Sequence, residues 1–182
     1  MIEFLNVDCM EYMATCPDNA FDLAIVDPPY GLKKSSTNGA GKMKRSALAS
    51  LDTSWDIRPG PLYFRELRRV AKHQLVWGGN YFPEISPCRC YVVWDKKQFM
   101  PTFSQSELCY TSFDQPSKIF CHQPRNGPRV HPTQKPIELY SWLLSKFATP
   151  GDRILDTHLG SGSSAIAAHY MGHTFVGTEI DP

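Results

Sequence analysis

Apolar residues in this chain come in short runs set between polar stretches, and the spacing within each run predicts an element. Ile2 to Val7 alternates apolar and polar side chains before Asp8, the pattern of a short strand. Cys9 to Cys16 follows as a helix, with Asp8 placed as its N-cap and Pro17 beyond its end. Leu23-Ala24-Ile25-Val26 is a continuous apolar run of the buried parallel-strand type. Arg65 to Lys72 reads as a helix, followed by a strand at Gln74 to Trp77 that ends in Gly78-Gly79-Asn80. Cys90 to Trp94 and Glu107 to Phe113, rich in aromatic and β-branched residues, add two strands. Ile137, Tyr140, Leu144 and Phe147 fall at helical spacing. PGDRILD, at 150–156, gives a turn and a strand, Ser163 to Met171 an alanine-rich helix stopped by Gly172, and Thr174 to Ile180 a last strand. Seven strands with helices between them predict an α/β fold, a doubly wound and mostly parallel sheet covered on both faces.

Two stretches break the pattern. Residues 31–62 are rich in Ser, Gly, Lys and Thr and group Lys33, Lys34, Lys42, Lys44 and Arg45. Gln115 to Pro132 is polar and proline-rich, with Lys118, Arg125 and Arg129. A long loop inside a compact domain is usually functional or disordered.

Composition narrows the function classes. A chain of 182 residues predicts a single domain, 1–182, with a sizeable core. Its formal net charge of +1 announces no overall basic field, so any nucleic-acid contact must be local. No run approaches the roughly 20 apolar residues of a membrane span. The first residues lack the layout of a signal peptide, so a soluble, cytoplasmic protein is expected. The six cysteines, at 9, 16, 88, 90, 109 and 121, contain no Cys-x-x-Cys pair; reduced, packed thiols and no metal are expected.

Candidate chemistry begins at DTHLGSGSS, residues 156–164, where a strand meets a helix. Gly160 and Gly162 permit a tight turn and close ligand approach, and the helix start offers N–H groups to an anion. Glu179 ends the next strand, where an acid can accept hydrogen bonds from ribose hydroxyls. The pattern points to a nucleoside-containing cofactor. Ala165 in the last glycine position leaves a dinucleotide open, whereas Asp156 beside the turn suits a cofactor carrying an ammonium group. Near the N-terminus, VDPPY at 26–30 closes a buried strand with a carboxylate, two prolines and a tyrosine. A strand end needs only one proline, so the second and the ring ask for another explanation.

Together, DPPY at 27–30, NVDCMEYM before it, VWDK at 93–96, HPTQKP at 131–136, DTHLGSGSS and FVGTEIDP resemble the DNA amino-methyltransferases that use S-adenosylmethionine. The resemblance covers nearly the whole chain, in the circularly permuted order with the catalytic motif first. It implies a seven-stranded, Rossmann-like methyltransferase sheet and transfer of a methyl group to an exocyclic amine of a base in double-stranded DNA. Such an amine is a poor nucleophile because its lone pair is delocalised into the ring. By the resemblance, Asp27 and the Pro28 carbonyl accept its N–H bonds, Pro28 and Pro29 hold those acceptors still, and Tyr30 supports the flipped base. The implied cofactor residues are Asp8, Cys9, Thr133, Lys135, Asp156, His158, Gly160, Ser161, Gly162 and Glu179, with Asp8 on the adenine amino group and Thr133 and Lys135 near the cofactor carboxylate. The plainer alternatives are a helix cap for Asp8 and solvated loop positions for Thr133 and Lys135.

The chain departs from the family where Thr157-His158 stands in place of the common Pro-Phe. Family members also usually continue past the position of Pro182 into a helix, so that sheet edge is expected to be covered in another way or by a further segment. Asp as the first motif residue favours adenine N6; cytosine N4, RNA adenine N6 and a catalytically silent nucleic-acid-binding subunit stay open. A nicotinamide oxidoreductase would leave Pro29 and Tyr30 unexplained. Target recognition is expected from 31–62 and 114–130, with Lys33, Lys34, Lys42, Lys44 and Arg45 on phosphates. A second copy of the chain or a cognate restriction endonuclease are the protein partners the resemblance leaves open.

Overall fold

A computed structural model describes residues 1–32, 56–85, 87–99, 104–124 and 134–180. In chain order the elements are β1 (Ile2–Asn6), α1 (Cys9–Thr15), β2 (Phe21–Val26), α2 (Pro61–Val70), β3 (Ala71–Trp77), a 3-10 turn (Gly79–Tyr81), β4 (Tyr91–Asp95), β5 (Ser106–Thr111), β6 (Lys118–Cys121), α3 (Ile137–Phe147), β7 (Arg153–Asp156), α4 (Ser163–Tyr170) and β8 (Thr174–Glu179). The strands form one sheet in the order β1-β8-β7-β2-β3-β5-β4-β6. β1, β8, β7, β2 and β3 run parallel; β5 is antiparallel to β3 and β4, and β6 is parallel to β4.

Period-two alternation assigns the strand side chains to two cores. Leu23, Ile25, Leu75, Trp77, Ile154 and Phe175 pack with α3 and α4 on one face. Ala24, Val26, Val76, Leu155 and Val176 pack with Met13 of α1 and with Tyr63, Phe64, Leu67 and Val70 of α2 on the other. Burial on both faces is why β2 and β7 read as nearly unbroken apolar runs.

The sheet has eight strands among the described residues, where the sequence predicts seven. The additional strand, β6, lies inside the stretch read as polar loop, including the 114–130 segment. Its four residues, KIFC, alternate in exposure at the sheet edge, too short a pattern to stand out between prolines. Helix α2 begins at Pro61, not Arg65, because proline suits the first helical position and Tyr63 and Phe64 already face the core. It passes directly into β3 at Ala71, so the strand starts three residues before Gln74.

Local contacts set the sheet's working edge. Arg69 of α2 donates to the Met13 and Cys16 carbonyls at 2.7 and 2.8 Å, satisfying the C-terminal end of α1. Asn6 donates to the Glu179 and Ile180 carbonyls at 3.0 and 3.1 Å, pinning the end of β8 to β1. No helix among the described residues is long and apolar enough to cross a membrane. All six cysteines are free thiols.

Candidate functional site

Because β1, β8, β7 and β2 are parallel neighbours, their C-terminal ends share one edge of the sheet. Asp8, Glu179, Asp156 and Asp27 stand at or just past those ends, in that spatial order. Asn6 is in register with Glu179, Asp156 with Gly177, and Ala24 with Leu155. Neighbouring strands are about 5 Å apart, so this edge brings residues from both ends of the sequence to one site.

One end of this edge is built on Asp27. Tyr30 Oη donates to Asp27 Oδ1 at 2.6 Å, and the Lys135 ammonium donates to Asp27 Oδ2. Lys135 Nζ also lies 3.3 Å from Glu107 Oε2, and Lys96 donates to Glu107 Oε1 at 2.5 Å. Lys135 is buried, its side chain only 5% exposed. Burial alone would pull its pKa down, but Asp27 and Glu107 outweigh that and hold it above the ordinary lysine range. Burial likewise pushes the Glu107 carboxyl up, and Lys135 with Lys96 more than reverses it. Lys135 is therefore a cation held between two carboxylates.

Tyr30 is fixed from three sides. Its ring stacks on Tyr81 at 5.1 Å and meets Phe82 edge-on at 6.0 Å. Gly78, at the end of β3, has φ +67°, and a Cβ there would fall 2.3 Å from Tyr30 Cε1. Only a glycine both adopts that backbone and lets the ring approach. Burial, then the Asp27 charge, raises the Tyr30 phenol well above its ordinary pKa, so it stays a donor.

The glycine turn is held by its own acids. Asp156 is buried; its Oδ1 accepts the His158 N–H at 3.0 Å and its Oδ2 the Ser164 hydroxyl at 2.6 Å. Burial raises its pKa to about 7. Glu179 Oε2 accepts the Gly160 N–H at 2.8 Å, and Leu159 N–H bonds the Thr178 carbonyl at 3.0 Å. Gly162, at φ +73°, precedes α4 without a side-chain cap, and a Cβ there would meet nothing within 4 Å. Ser161 and Ser163 share a hydrogen bond at 3.1 Å. His158 Nδ1 lies 2.9 Å from Thr157 Oγ1, which lies 2.6 Å from Tyr63 Oη. Burial lowers the His158 pKa to about 4, so the imidazole is neutral near pH 7.

Asp8 does cap α1, accepting Met10 and Glu11 N–H groups at 2.7 and 3.3 Å, both through Oδ1. The neighbouring Cys9 thiol is pushed up to about 11 by burial and Asp8, and is unreactive as a nucleophile.

The structure thus brings Asp27, Pro28, Pro29 and Tyr30 together with Lys135, and gathers Asp8, Cys9, Asp156, His158, Gly160, Ser161, Gly162 and Glu179 along the adjoining strand ends. Lys135 sits against Asp27 and Glu107. Thr133, Lys33, Lys34, Lys42, Lys44, Arg45, Arg125 and Arg129 lie outside the described residues. Sequence reasoning missed Glu107, Lys96, Tyr63 and Tyr81. The available signal was Glu107 itself, a carboxylate at the second position of a strand whose next three residues are Leu108, Cys109 and Tyr110.

A nucleoside cofactor with an amino-acid tail fits this edge. The open side of Gly162 and the uncapped start of α4 leave space and N–H groups, while Glu179 and Asp8 place carboxylates on the two strands beside them.

The model of the N6/N4 DNA methylase family matches residues 69–182. The protein YubD of Escherichia coli (strain K12), named as a methylase, is 25% identical over 199 aligned positions, covering 99% of this chain and 85% of that protein. The type II methyltransferase M.HinfI of Haemophilus influenzae is 22% identical, covering 97% of this chain; the chain spans 65% of that protein's length. Among solved structures, the M1.HpyAVI–SAM complex superposes with a TM-score of 0.63 at 17% identity, covering 100% of this chain and 95% of the other. The cytosine-N4-specific PvuII DNA methyltransferase gives 0.66 at 10% identity, covering 100% and 82%.

Proposed function

From the chain's place in the N6/N4 DNA methylase family, to which it belongs as an S-adenosylmethionine-dependent DNA methyltransferase, we propose that it methylates the exocyclic N6 of adenine in double-stranded DNA, on a base turned out of the helix. The observation that carries this reading is the position of Asp27, fixed through both oxygens on the strand next to the glycine turn.

S-adenosylmethionine, when bound, supplies a methyl group on a sulfonium, an electrophile with a good leaving group. The chain's residues do the rest. Asp27 and the Pro28 carbonyl accept the two N–H bonds of the target amine, which turns its lone pair out of conjugation. The same two acceptors hold the amine's lone pair toward the methyl group that the bound cofactor would supply, and the proton the nitrogen must then lose would pass to solvent by way of the Asp27 carboxylate. Tyr30, backed by Tyr81, supports the base by stacking. Glu179 and Asp8 hold the cofactor's ribose hydroxyls and adenine amino group. Gly160, Ser161, Gly162 and Cys9 line the approach, His158 packs against the cofactor, and Asp156 keeps the turn in shape. Thr133 reaches the cofactor's amino-acid end. Residues 1–182 act as one domain in which 31–62 and 114–130 select the target, with Lys33, Lys34, Lys42, Lys44 and Arg45 on backbone phosphates.

The test is methylation with labelled S-adenosylmethionine of DNA and RNA substrates, digested to nucleosides and separated. N6-methyladenine from duplex DNA is expected. N4-methylcytosine would replace the base assignment, and label in RNA alone would replace the substrate. Product-cofactor binding without transfer to any nucleic acid would leave a silent subunit.

A further inference from the structure

Lys135 has features that a solvated loop lysine lacks. Its side chain is 5% exposed, and its ammonium lies 5.3 Å from the centre of the Trp77 ring and 5.9 Å from that of Tyr30. A buried ammonium is costly to desolvate, and the fold keeps this one only by spending two carboxylates on it. Those two come from different places: Asp27 from the end of β2 and Glu107 from β5. Tyr30 Oη, at 3.5 Å, completes the surroundings of Nζ. A carboxylate oxygen offers two lone pairs. With Tyr30 on Oδ1 and Lys135 on Oδ2, the plane of the Asp27 carboxylate is set and a lone pair remains on each oxygen for an incoming amine.

We infer that Lys135 is a positioning residue for methyl transfer: bridging Glu107 and Asp27, it keeps the Asp27 carboxylate charged and oriented as the acceptor of the target amine. The inference rests on the reading of Asp27 given above. Without the Lys135 ammonium between them, Asp27 would face Glu107 with no cation of its own among the described residues, while Glu107 would keep Lys96 on Oε1. Like charges that close do not readily ionise together, and the pair takes up a proton. A protonated carboxyl presents a donor where an acceptor is needed, so transfer would fail first at low pH. The other groups facing Asp27 are Tyr30, Tyr63 of α2, Cys109 of β5, Tyr140 of α3, Asp156 of β7 and His158 after it. Burial raises the four phenols and thiols among them well above their ordinary pKa, so none replaces the cation.

The experiment is the pH dependence of single-turnover methylation for the whole chain and the variants Lys135→Met, Lys135→Arg, Glu107→Gln and the double variant Lys135→Met with Glu107→Gln. S-adenosylhomocysteine affinity is measured alongside by calorimetry. Lys135→Met should lower the rate constant by about 10²–10³, the loss seen when one preorganised electrostatic group is removed. Its acid limb should move up by roughly 1–3 pH units, as loss of a close opposite charge requires. Cofactor affinity should be unchanged, and the double variant should return the acid limb toward wild type, which relief of a packing defect would not do. An unmoved acid limb overturns the inference. So does lost cofactor affinity with an intact rate constant at saturation, which would assign the lysine to the cofactor's carboxylate. If Lys135→Met does not fold, the other single variants decide: Lys135→Arg should hold the acid limb and Glu107→Gln should lower it, and the opposite result overturns the inference. A wild-type chain that methylates nothing would instead fail the functional reading itself.

Discussion

Asp27 and Glu179 stand two strands apart on the same edge, yet the arrangement assigns them separable work. Among the described residues Asp27 bonds to Tyr30 and Lys135, away from the glycine turn's own hydrogen bonds. Asp27→Ala should therefore cost about 10²–10³ in methyl-transfer rate while leaving S-adenosylhomocysteine binding in place. Near-normal turnover by the purified variant would remove Asp27 from the mechanism. Glu179 has partners of its own, among them the Gly160 and Ile180 N–H groups at 2.8 and 2.9 Å. Glu179→Ala removes both a turn support and a charged acceptor, and should weaken cofactor binding by roughly 1.5–3 kcal/mol. Glu179→Gln keeps an acceptor for Gly160 and should cost less. Equal affinities for wild type and both variants in calorimetry would place the ribose elsewhere.

At the level of elements, the end of β3 matters as much as the motif it faces. Gly78 N–H bonds the Leu108 carbonyl at 2.8 Å, tying β3 to β5, while its bare Cα makes room for Tyr30. Gly78→Ala should push the Tyr30 ring off Tyr81 and out of reach of Asp27, at a backbone cost of about 1–2 kcal/mol. Lower melting temperature and slower transfer with unchanged cofactor affinity are expected; unchanged transfer would mean that the ring position is immaterial. How far these relations were legible varied with their range. Asp27, Gly160, Gly162 and Glu179 could be read because each sits at a strand end that a local apolar run reveals. Asp8 as a helix cap is likewise a local pattern. The bridge from Lys135 to Glu107 could not be read, because it depends on β5 entering the sheet antiparallel between β3 and β4. Nothing local in GSGSS shows that Asp156 would spend its oxygens on Ser164 and His158. β6 was missed for a related reason: its four residues gain their meaning from pairing with β4.

Across the molecule, the glycine turn stores two titrating groups whose effects on stability oppose each other. Burial raises Asp156 from 3.8 to about 7, so between those values the folded state holds a proton that the unfolded state has released. Stability from this group falls as pH rises through that window. Burial lowers His158 from 6.5 to about 4, so between those values the unfolded state holds the extra proton. Stability from this group rises with pH through its window. The windows overlap, and in the wild type the two slopes largely cancel. Each single variant, compared with wild type, should show the contribution of the group it removes with the sign reversed. Asp156→Asn can still accept the His158 N–H and pair with Ser164, so its packing is conserved. Its melting temperature, measured against wild type at each pH, should climb from about pH 4 to about pH 7, the window of the group removed. His158→Phe removes the opposing slope, and its melting temperature relative to wild type should decline from about pH 4 to about pH 6.5. Taking differences against wild type removes the background of every group that titrates alike in both chains. Two flat difference curves would show that neither side chain changes its proton affinity on folding. The turn would then be held by its hydrogen bonds without the burial of charge that sets these opposing slopes.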